Sequence, residues 1–252
     1  MLCALLLCWF LVLKRTRRLG YPAAQVLVLL VLGLPVGTIG GIWFNRLIPF
    51  IFGLKGIEAN GLTVIGSIVC AIAFSGAYIK LVLKTPALPL LDAAAFTLPL
   101  SIGLGRFGCL LNGCCFGMLA PDWIRTSLLR TLTIPVRLYT PNSFAGQTLK
   151  GTLPGDVLLW NLPLMLMIHE LGVLIVVETL YRNRERWGLL PGTVIAAAVA
   201  QEAIGRFFLE FLRWDEHVGA SAFNAWQLSV AAIGLISLAL LSSRLLRRNR
   251  PA

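Results

Sequence analysis

Long apolar stretches recur along the 252-residue chain, and they restrict its fold more than any other feature. Seven of them come near the roughly 20 residues that a helix needs to cross the hydrocarbon core of a bilayer. They cover residues of about 1–13, 23–44, 61–83, 88–105, 157–180, 188–209 and 223–243. Only 13% of the residues are charged, about half of the share typical of a soluble domain. The sequence therefore predicts an all-α membrane protein with seven transmembrane helices, in a single polytopic membrane domain over residues 1–252.

The distribution of basic residues predicts the orientation of these helices. Positive residues follow the short first stretch, whereas a signal peptide carries them before its apolar region, so we expect a first helix there. With the first loop in the cytoplasm, thirteen of the 22 basic residues lie inside, as the positive-inside rule requires. This places the N-terminus outside, the C-terminus in the cytoplasm, and a loop at about 118–156 on the extracytoplasmic side. The net charge of +11 thus indicates membrane topology, and we expect no nucleic-acid partner.

A polar cluster follows the fourth apolar stretch, in residues 103–117. These residues read Gly-Leu-Gly-Arg-Phe-Gly-Cys-Leu-Leu-Asn-Gly-Cys-Cys-Phe-Gly. An arginine at membrane depth costs about 2.5–3.5 kcal/mol on insertion scales, so Arg106 is a candidate functional residue. The predicted topology puts this cluster at the outer end of its helix.

A second charged cluster, in residues 205–213, ends the sixth apolar stretch on the same side. Arg206 and Glu210 are four residues apart and share a helix face. Two arginines at the same outer level, Arg106 and Arg206, suggest an anionic ligand, because guanidinium matches phosphate geometry. Arg213 lies nearer the membrane surface. Glu202 lies on the inner half of this helix, and we expect it to tune or pack rather than to contact a ligand.

The fifth apolar stretch contains His169 and Glu170. Two interpretations remain open for them. Polar residues connect helices in membranes by hydrogen bonds, and a histidine or a carboxylate near the arginines can also act as a general base.

The six cysteines do not indicate a disulfide framework or a metal site. Three of them lie inside apolar stretches: Cys3, Cys8 and Cys70. The other three, Cys109, Cys114 and Cys115, have no histidine near them and lack C-x-x-C spacing. We therefore expect no metal and no cofactor.

Two stretches resemble the bacterial prolipoprotein diacylglyceryl transferases. Residues 105–117 resemble the signature of this family, and residues 205–213 resemble its second arginine motif. The chain departs from the family pattern at three places. Cys109 and Cys114 replace an asparagine and a glutamate, and Ile65 stands where the family usually has the histidine of a His-Gly-Gly element. Of the family's Pro-Ser/Thr-Gln-Leu-Tyr-Glu element, only Glu170 remains.

The resemblance implies transfer of a diacylglyceryl group from phosphatidylglycerol to the lipobox cysteine of a preprolipoprotein, bound through its signal peptide. It implies a monomeric, multi-pass protein of the bacterial plasma (inner) membrane. Arg106 and Arg206 would hold the leaving phosphate, and Glu210 would orient Arg206 or take part in proton transfer. The candidate bases are His169 and His217. The candidate substrate-binding residues are Gly105, Asn112, Gly117, Glu170 and Arg213.

Three alternatives follow from the departures and the cysteines. The first is a non-catalytic, lipid-binding relative that has lost the family's histidine. The second is a redox or metal-binding membrane protein that uses Cys109, Cys114 and Cys115. The third is a transporter with an arginine-lined anion path, which the absence of an internal repeat disfavours.

Overall fold

The computed structural model describes residues 2–51, 64–139, 143–149, 153–213 and 225–248. The protein is an all-α membrane protein with one small sheet. Its helices are α1 (Leu2–Arg18), α2 (Ala23–Ile51), α3 (Val64–Tyr78), α4 (Ala87–Ala94), α5 (Thr97–Asn112), α6 (Phe144–Leu149), α7 (Leu162–Asn183), α8 (Thr193–Glu210) and α9 (Ala225–Arg248). A π-helical turn, Ile79–Leu83, continues α3. The strands are β1 (Thr133–Pro135) and β2 (Leu158–Trp160).

Five helical runs in the described part of the chain are long and apolar enough to cross a membrane. They are Ala23–Leu47, Gly66–Leu83, Ala87–Asn112, Leu162–Asn183 and Gln227–Leu246. Helix α8 carries Glu202, Arg206 and Glu210 among its 18 residues, and α1 has only 17 residues with a basic last turn. Helix α1 is therefore too short to count among the five runs, and α8 carries too many charges.

Contacts between helix ends give the bundle two distinct ends. At one end, α1 and α7 terminate side by side, because Arg15 of α1 pairs with Glu178 of α7 at 2.5 Å. The Arg15 guanidinium also lies 4.3 Å from the ring centre of Phe96 and 4.4 Å from that of Tyr181. At the other end, which we call the loop end, α5 and α8 terminate and α7 begins. Backbone hydrogen bonds there connect the residues after α5 with those before α7 and with those after α8.

Asp92 fixes the start of α8 at the end opposite the loop end. Its carboxylate is buried and accepts hydrogen bonds from the backbone N–H groups of Gly192 (2.6 Å) and Ile195 (2.9 Å). A carboxylate at a helix N-terminus satisfies free N–H groups and complements the helix dipole. Arg244 of α9 donates a hydrogen bond to the Pro191 carbonyl beside it. This end therefore brings together α4, the start of α8 and the end of α9.

A buried core joins most of these helices. It contains Val12 of α1, Val26 of α2, Ala93 of α4, Val173 of α7 and Val194 of α8, together with their neighbours. Helices α1 and α8 therefore pack into the same bundle as the five apolar runs.

The fourth predicted stretch, 88–105, differs from the structure. It is divided into α4 and α5, and α5 continues to Asn112. Pro99 has no backbone N–H to offer the carbonyl of Ala95 four residues earlier, so the helix is interrupted and resumes at Thr97. Because the helix starts again at Thr97 and continues to Asn112, Arg106 lies within α5.

The predicted start of the fifth stretch, at 157, is also wrong. Residues Leu158–Trp160 form β2, and α7 begins only at Leu162, where the Asn161 side chain accepts a hydrogen bond from the Leu164 N–H. Asn161 thus caps the first turn of α7.

The loop at 118–156 has regular structure of its own. It contains three short 3-10 turns, Asp122–Thr126, Leu128–Leu132 and Val136–Leu138, in addition to β1 and α6. Strand β1 pairs antiparallel with β2, with Thr133 opposite Trp160. A small core that includes Phe116, Tyr139 and Leu159 lies beneath it, and burial raises the pKa of the Tyr139 hydroxyl. The loop is therefore a folded cap on the loop end.

Candidate functional site at the loop end

The site begins where α5 ends. Gly113 adopts the left-handed conformation (φ +62°), and the Cys114 N–H donates to the Cys109 carbonyl at 3.2 Å. Such a turn closes a helix and reverses the chain, and glycine adopts it at little cost. A side chain here would also collide with Ser143, whose Cβ would lie 2.9 Å away. The turn directs the next residues back over the bundle.

Gly117 connects three segments at this end. Its N–H donates to the Trp160 carbonyl at 2.9 Å, and the next N–H, of Met118, donates to the Leu212 carbonyl at 2.7 Å. Gly117 also forms an isolated β-bridge with Arg213. A Cβ at Gly117 would lie 2.6 Å from the Trp160 Cβ and 2.7 Å from the Leu212 oxygen. The structure thus gives Gly117, which we expected to bind substrate, a role in close backbone packing; we call this connection the clasp.

A cavity lies beneath the clasp, between α5, α7 and α8. Its lining consists of Arg106, Cys115, Leu162, Leu166, Arg206, Leu209, Glu210 and Arg213. Four of the predicted site residues therefore meet here, and three of the four are arginines. Because Glu210 is the one carboxylate among these lining residues, the cavity has an excess of positive charge that suits an anion.

The ion pairs of the site differ from the expected ones. We expected Glu210 to orient Arg206, but the Arg206 Nε donates to Glu202 Oε1 at 3.2 Å. Glu210 instead accepts from Arg213 at 3.3 Å. Both members of the Arg206–Glu202 pair are nearly buried, with side-chain exposures of 12% and 7%. The physical reason is helix position, since Glu202 lies one turn before Arg206 on α8 and is less exposed (7%) than Glu210 (14%).

Glu202 also contacts the two polar residues of α7. Its Oε2 lies 3.9 Å from His169 Nε2, and the ligand atoms of His169, Glu170 and Glu202 lie within 4.8 Å of one another. The His169 ring rests on Gly205, where a Cβ would collide with it, and a Cβ added at Gly103 would lie 3.3 Å from the Glu170 Cβ. This buried group lies behind Arg206 and outside the cavity lining, so it supports that arginine rather than reaching a ligand in the cavity.

The three clustered cysteines meet at the cavity edge. Their sulfur atoms lie within 4.8 Å of one another, and Cys109 Sγ is 3.9 Å from Cys115 Sγ. All three are free and half-buried. Arg106 Nη1 lies 4.0 Å from Cys109 Sγ. Burial, with the neighbouring thiols, raises the pKa of the Cys115 thiol to about 11 despite the opposing charge of Arg106. Their spacing along the chain gave no sign of this convergence.

Two further predicted residues, Asn112 and Gly105, lie outside the cavity lining. Asn112 is the last residue of α5 and is exposed, outside the cavity lining. Gly105 precedes Arg106, and a Cβ there would meet open space. His217 lies outside the described residues, as does the side chain of Ile65.

The comparisons with known proteins all point to one family. The model of a family described as prolipoprotein diacylglyceryl transferase matches residues 1–245. A protein of Clostridium tetani named phosphatidylglycerol–prolipoprotein diacylglyceryl transferase is 25% identical over 224 residues, which cover 85% of this chain and 78% of the relative. A protein of the same name from Corynebacterium glutamicum is 28% identical over 239 residues, or 88% of this chain and 71% of the relative.

Proposed function

The chain belongs to the prolipoprotein diacylglyceryl transferase family, and from its geometry we propose that Arg106 and Arg206 bind the phosphate that leaves during the transfer. The reaction moves a diacylglyceryl group from phosphatidylglycerol to the cysteine of a prolipoprotein. The thiol loses its proton, and its sulfur attacks the glyceryl carbon that carries the phosphate. A C–S bond forms while the C–O bond to phosphate breaks, and the electron pair leaves with glycerol-1-phosphate.

The observation that carries this proposal is the meeting of Arg106 and Arg206 in one cavity. Negative charge builds on the leaving phosphate as the C–O bond breaks. Cations that already face the phosphate stabilise this charge without reorganising, and the loss of one such donor costs about a hundred- to a thousandfold in rate. Guanidinium groups from two helices can bind two oxygens each.

The surrounding polar residues position Arg206. Glu202 holds Arg206 through its ion pair, and His169 and Glu170 contact Glu202 from α7. We assign these three residues to positioning, because they do not line the cavity. His169, one of the two candidate bases, does not line the cavity, and its Nε2 lies 3.9 Å from Glu202 Oε2.

Glu210 is the better acceptor for the thiol proton. It lines the cavity, and Arg213 fixes its carboxylate at 3.3 Å. Arg213 can bind the glycerol phosphate oxygens as well. Asn112 and the open backbone at Gly105 are suited to contacts with the part of the lipid that protrudes from the cavity.

We further propose seven membrane crossings, an outer N-terminus and a cytoplasmic C-terminus. The helix ends that meet at Asp92 and Glu178 support alternating directions for α1, α7, α8 and α9. Most arginines and lysines of the short loops lie at that end, which the positive-inside rule assigns to the cytoplasm. The proposal includes the bacterial inner membrane as its location, a monomeric state, and a preprolipoprotein signal peptide as partner.

A transfer assay tests the proposed reaction directly. The purified chain is mixed with phosphatidylglycerol and a lipobox peptide, and the thioether product is measured by mass spectrometry. We expect product with the cysteine peptide and none with a matched serine peptide or with phosphatidylcholine in place of phosphatidylglycerol. A chain that binds phosphatidylglycerol but forms no thioether would contradict the proposal and favour a non-catalytic relative.

A further inference from the structure

The three clustered cysteines, of which Cys115 lines the cavity, have sulfur atoms close enough together to hold a metal ion. We propose that Cys109, Cys114 and Cys115 bind a Zn²⁺ ion, and that the thiol of the prolipoprotein binds this ion as its fourth ligand. The second half of this inference rests on the proposed function. The first half does not, because it concerns this chain and the ion alone.

The sulfur positions are close to those of a zinc–thiolate centre. Zinc binds cysteine sulfur at about 2.3 Å in a tetrahedral arrangement, so two of its sulfur ligands lie about 3.8 Å apart. Cys109 Sγ and Cys115 Sγ are 3.9 Å apart. Cys114 completes a set of three within 4.8 Å, and its sulfur would give up its contact with the Cys109 carbonyl oxygen, at 3.7 Å, to bind the ion. Catalytic zinc sites have three protein ligands and leave the fourth position to water or substrate.

The backbone also supports a site at this place. Cys115 has a φ of +58°, a left-handed conformation that residues other than glycine rarely adopt. Such conformations persist where the surrounding structure needs them, and they cluster at functional sites. Here the conformation follows the turn at Gly113 and puts Cys115 both next to Cys109 and in the cavity lining.

The charges near the cysteines also suit a zinc–thiolate centre. A Zn²⁺ ion with three thiolates carries a net charge of −1, and a fourth thiolate makes it −2. Arg106 Nη1 lies 4.0 Å from Cys109 Sγ, and Arg206 faces the same cavity. The two arginines thus offset the excess negative charge of the thiolates as well as that of the phosphate.

A zinc ion at this position would help to deprotonate the substrate thiol. A carboxylate is a much weaker base than a thiolate, so Glu210 alone takes few protons from a free thiol. A thiol that coordinates zinc is deprotonated outright. The substrate thiol would therefore give its proton to Glu210 and remain on zinc as a thiolate. That sulfur then attacks the glyceryl carbon, and the electron pair of the broken C–O bond leaves with glycerol phosphate.

Metal binding can be measured without activity. The full chain in detergent is stripped with a chelator under reducing conditions and titrated with Co²⁺, a spectroscopic substitute for Zn²⁺, and zinc content is measured separately. We expect one ion per chain and a cobalt–thiolate absorption band. Cys109→Ser and Cys115→Ser should lose most of this band, whereas Cys70→Ser, a half-buried cysteine in α3, should retain all of it. Absence of the band in the wild-type chain, or an equal band in Cys115→Ser, overturns the site.

The substrate's part is tested by adding peptides to the cobalt-loaded chain. A lipobox peptide should strengthen the thiolate band, and its serine analogue should leave the band unchanged; equal effects of the two peptides overturn the fourth-ligand assignment. Transfer should disappear on chelation and return with Zn²⁺, so full transfer by the stripped chain also overturns it. If the ion binds but no form of the chain transfers lipid, the proposed function fails and the metal site stands.

Discussion

Replacing Arg206 by alanine separates its chemical role from its structural one. The change removes one of the three arginines that line the cavity, and one of the two to which we assign the leaving phosphate, so we expect transfer to fall by about a hundred- to a thousandfold. It also leaves Glu202 buried without its partner, and breaking a buried ion pair costs about 3–5 kcal/mol. The pair is 12% and 7% exposed, so we expect the lower end of this range. Arg106→Ala should lose as much transfer with little loss of stability, because the described residues give Arg106 no carboxylate partner.

The double variant Arg206→Ala/Glu202→Gln makes the test decisive. Neutralising Glu202 removes the stranded charge, so the free energy of unfolding, measured by thermal unfolding in detergent, should recover part of the loss. One neutral unsatisfied amide costs about 1–3 kcal/mol, and an isolated buried charge costs far more. Transfer, measured with phosphatidylglycerol and a lipobox peptide, should stay low. Arg125→Ala, which removes an exposed loop arginine, is the matched control. Recovery of transfer in the double variant would refute the phosphate-binding role of Arg206.

Three further predictions concern packing and the thiols. Gly117→Ala should lower the free energy of unfolding by about 1–3 kcal/mol, because the added Cβ meets backbone at the clasp. Gly105→Ala is the control, because its added Cβ meets open space and should not lower the stability. Equal shifts of the melting temperature in the two variants would contradict the packing account. Gly205→Ala should displace the His169 ring and lower the stability of the chain. Adding His169→Ala should restore much of that stability in a thermal unfolding assay, and no recovery would argue against the contact between Gly205 and His169. In the metal-free chain, Cys115 should alkylate at pH 8 about a hundredfold more slowly than a free thiol, because its pKa is about 11 rather than 9.0. Residue-resolved mass spectrometry over a pH series checks this, and a plateau near pH 9 would contradict it.

The meeting of the two arginines could be predicted because it depends only on topology. Arg106 and Arg206 each lie near the end of an apolar stretch, and both stretches were assigned the same direction. Two helices that end on one side of a membrane bring their last turns to the same depth. No side-chain detail was needed, and the structure brings both residues into one cavity.

The partner of Arg206 could not be chosen in this way. Glu202 and Glu210 are each four residues from Arg206, so helix periodicity permits either pair. Burial decides between them, and burial depends on where α7 packs against α8. The same limit applies to the cysteines. Cys109 and Cys115 meet because the left-handed residues Gly113 and Cys115 reverse the chain, and the sequence specifies such a turn only weakly.

The division of the fourth helix has a signal in the sequence that the hydropathy pattern does not contain. Pro99 predicts an interruption near Ala95, since proline cannot complete the helical hydrogen bond. The apolar composition, which is continuous through this point, indicated one helix. Hydropathy measures whether a segment can enter lipid, but it does not report how the backbone is hydrogen-bonded within it.

The pair between Arg15 and Glu178 has a consequence for the order of events during biogenesis. The partners are 163 residues apart, so at roughly 5–20 residues per second the ribosome makes Arg15 about 8–30 s before Glu178. During this interval Arg15 is an unneutralised charge at the end of a nascent helix, when the orientation of that helix is decided. Once α7 arrives, the same guanidinium is enclosed by Glu178 and two aromatic rings. The same side chain thus lacks its partner during early synthesis and later connects α1 to α7 in the finished bundle.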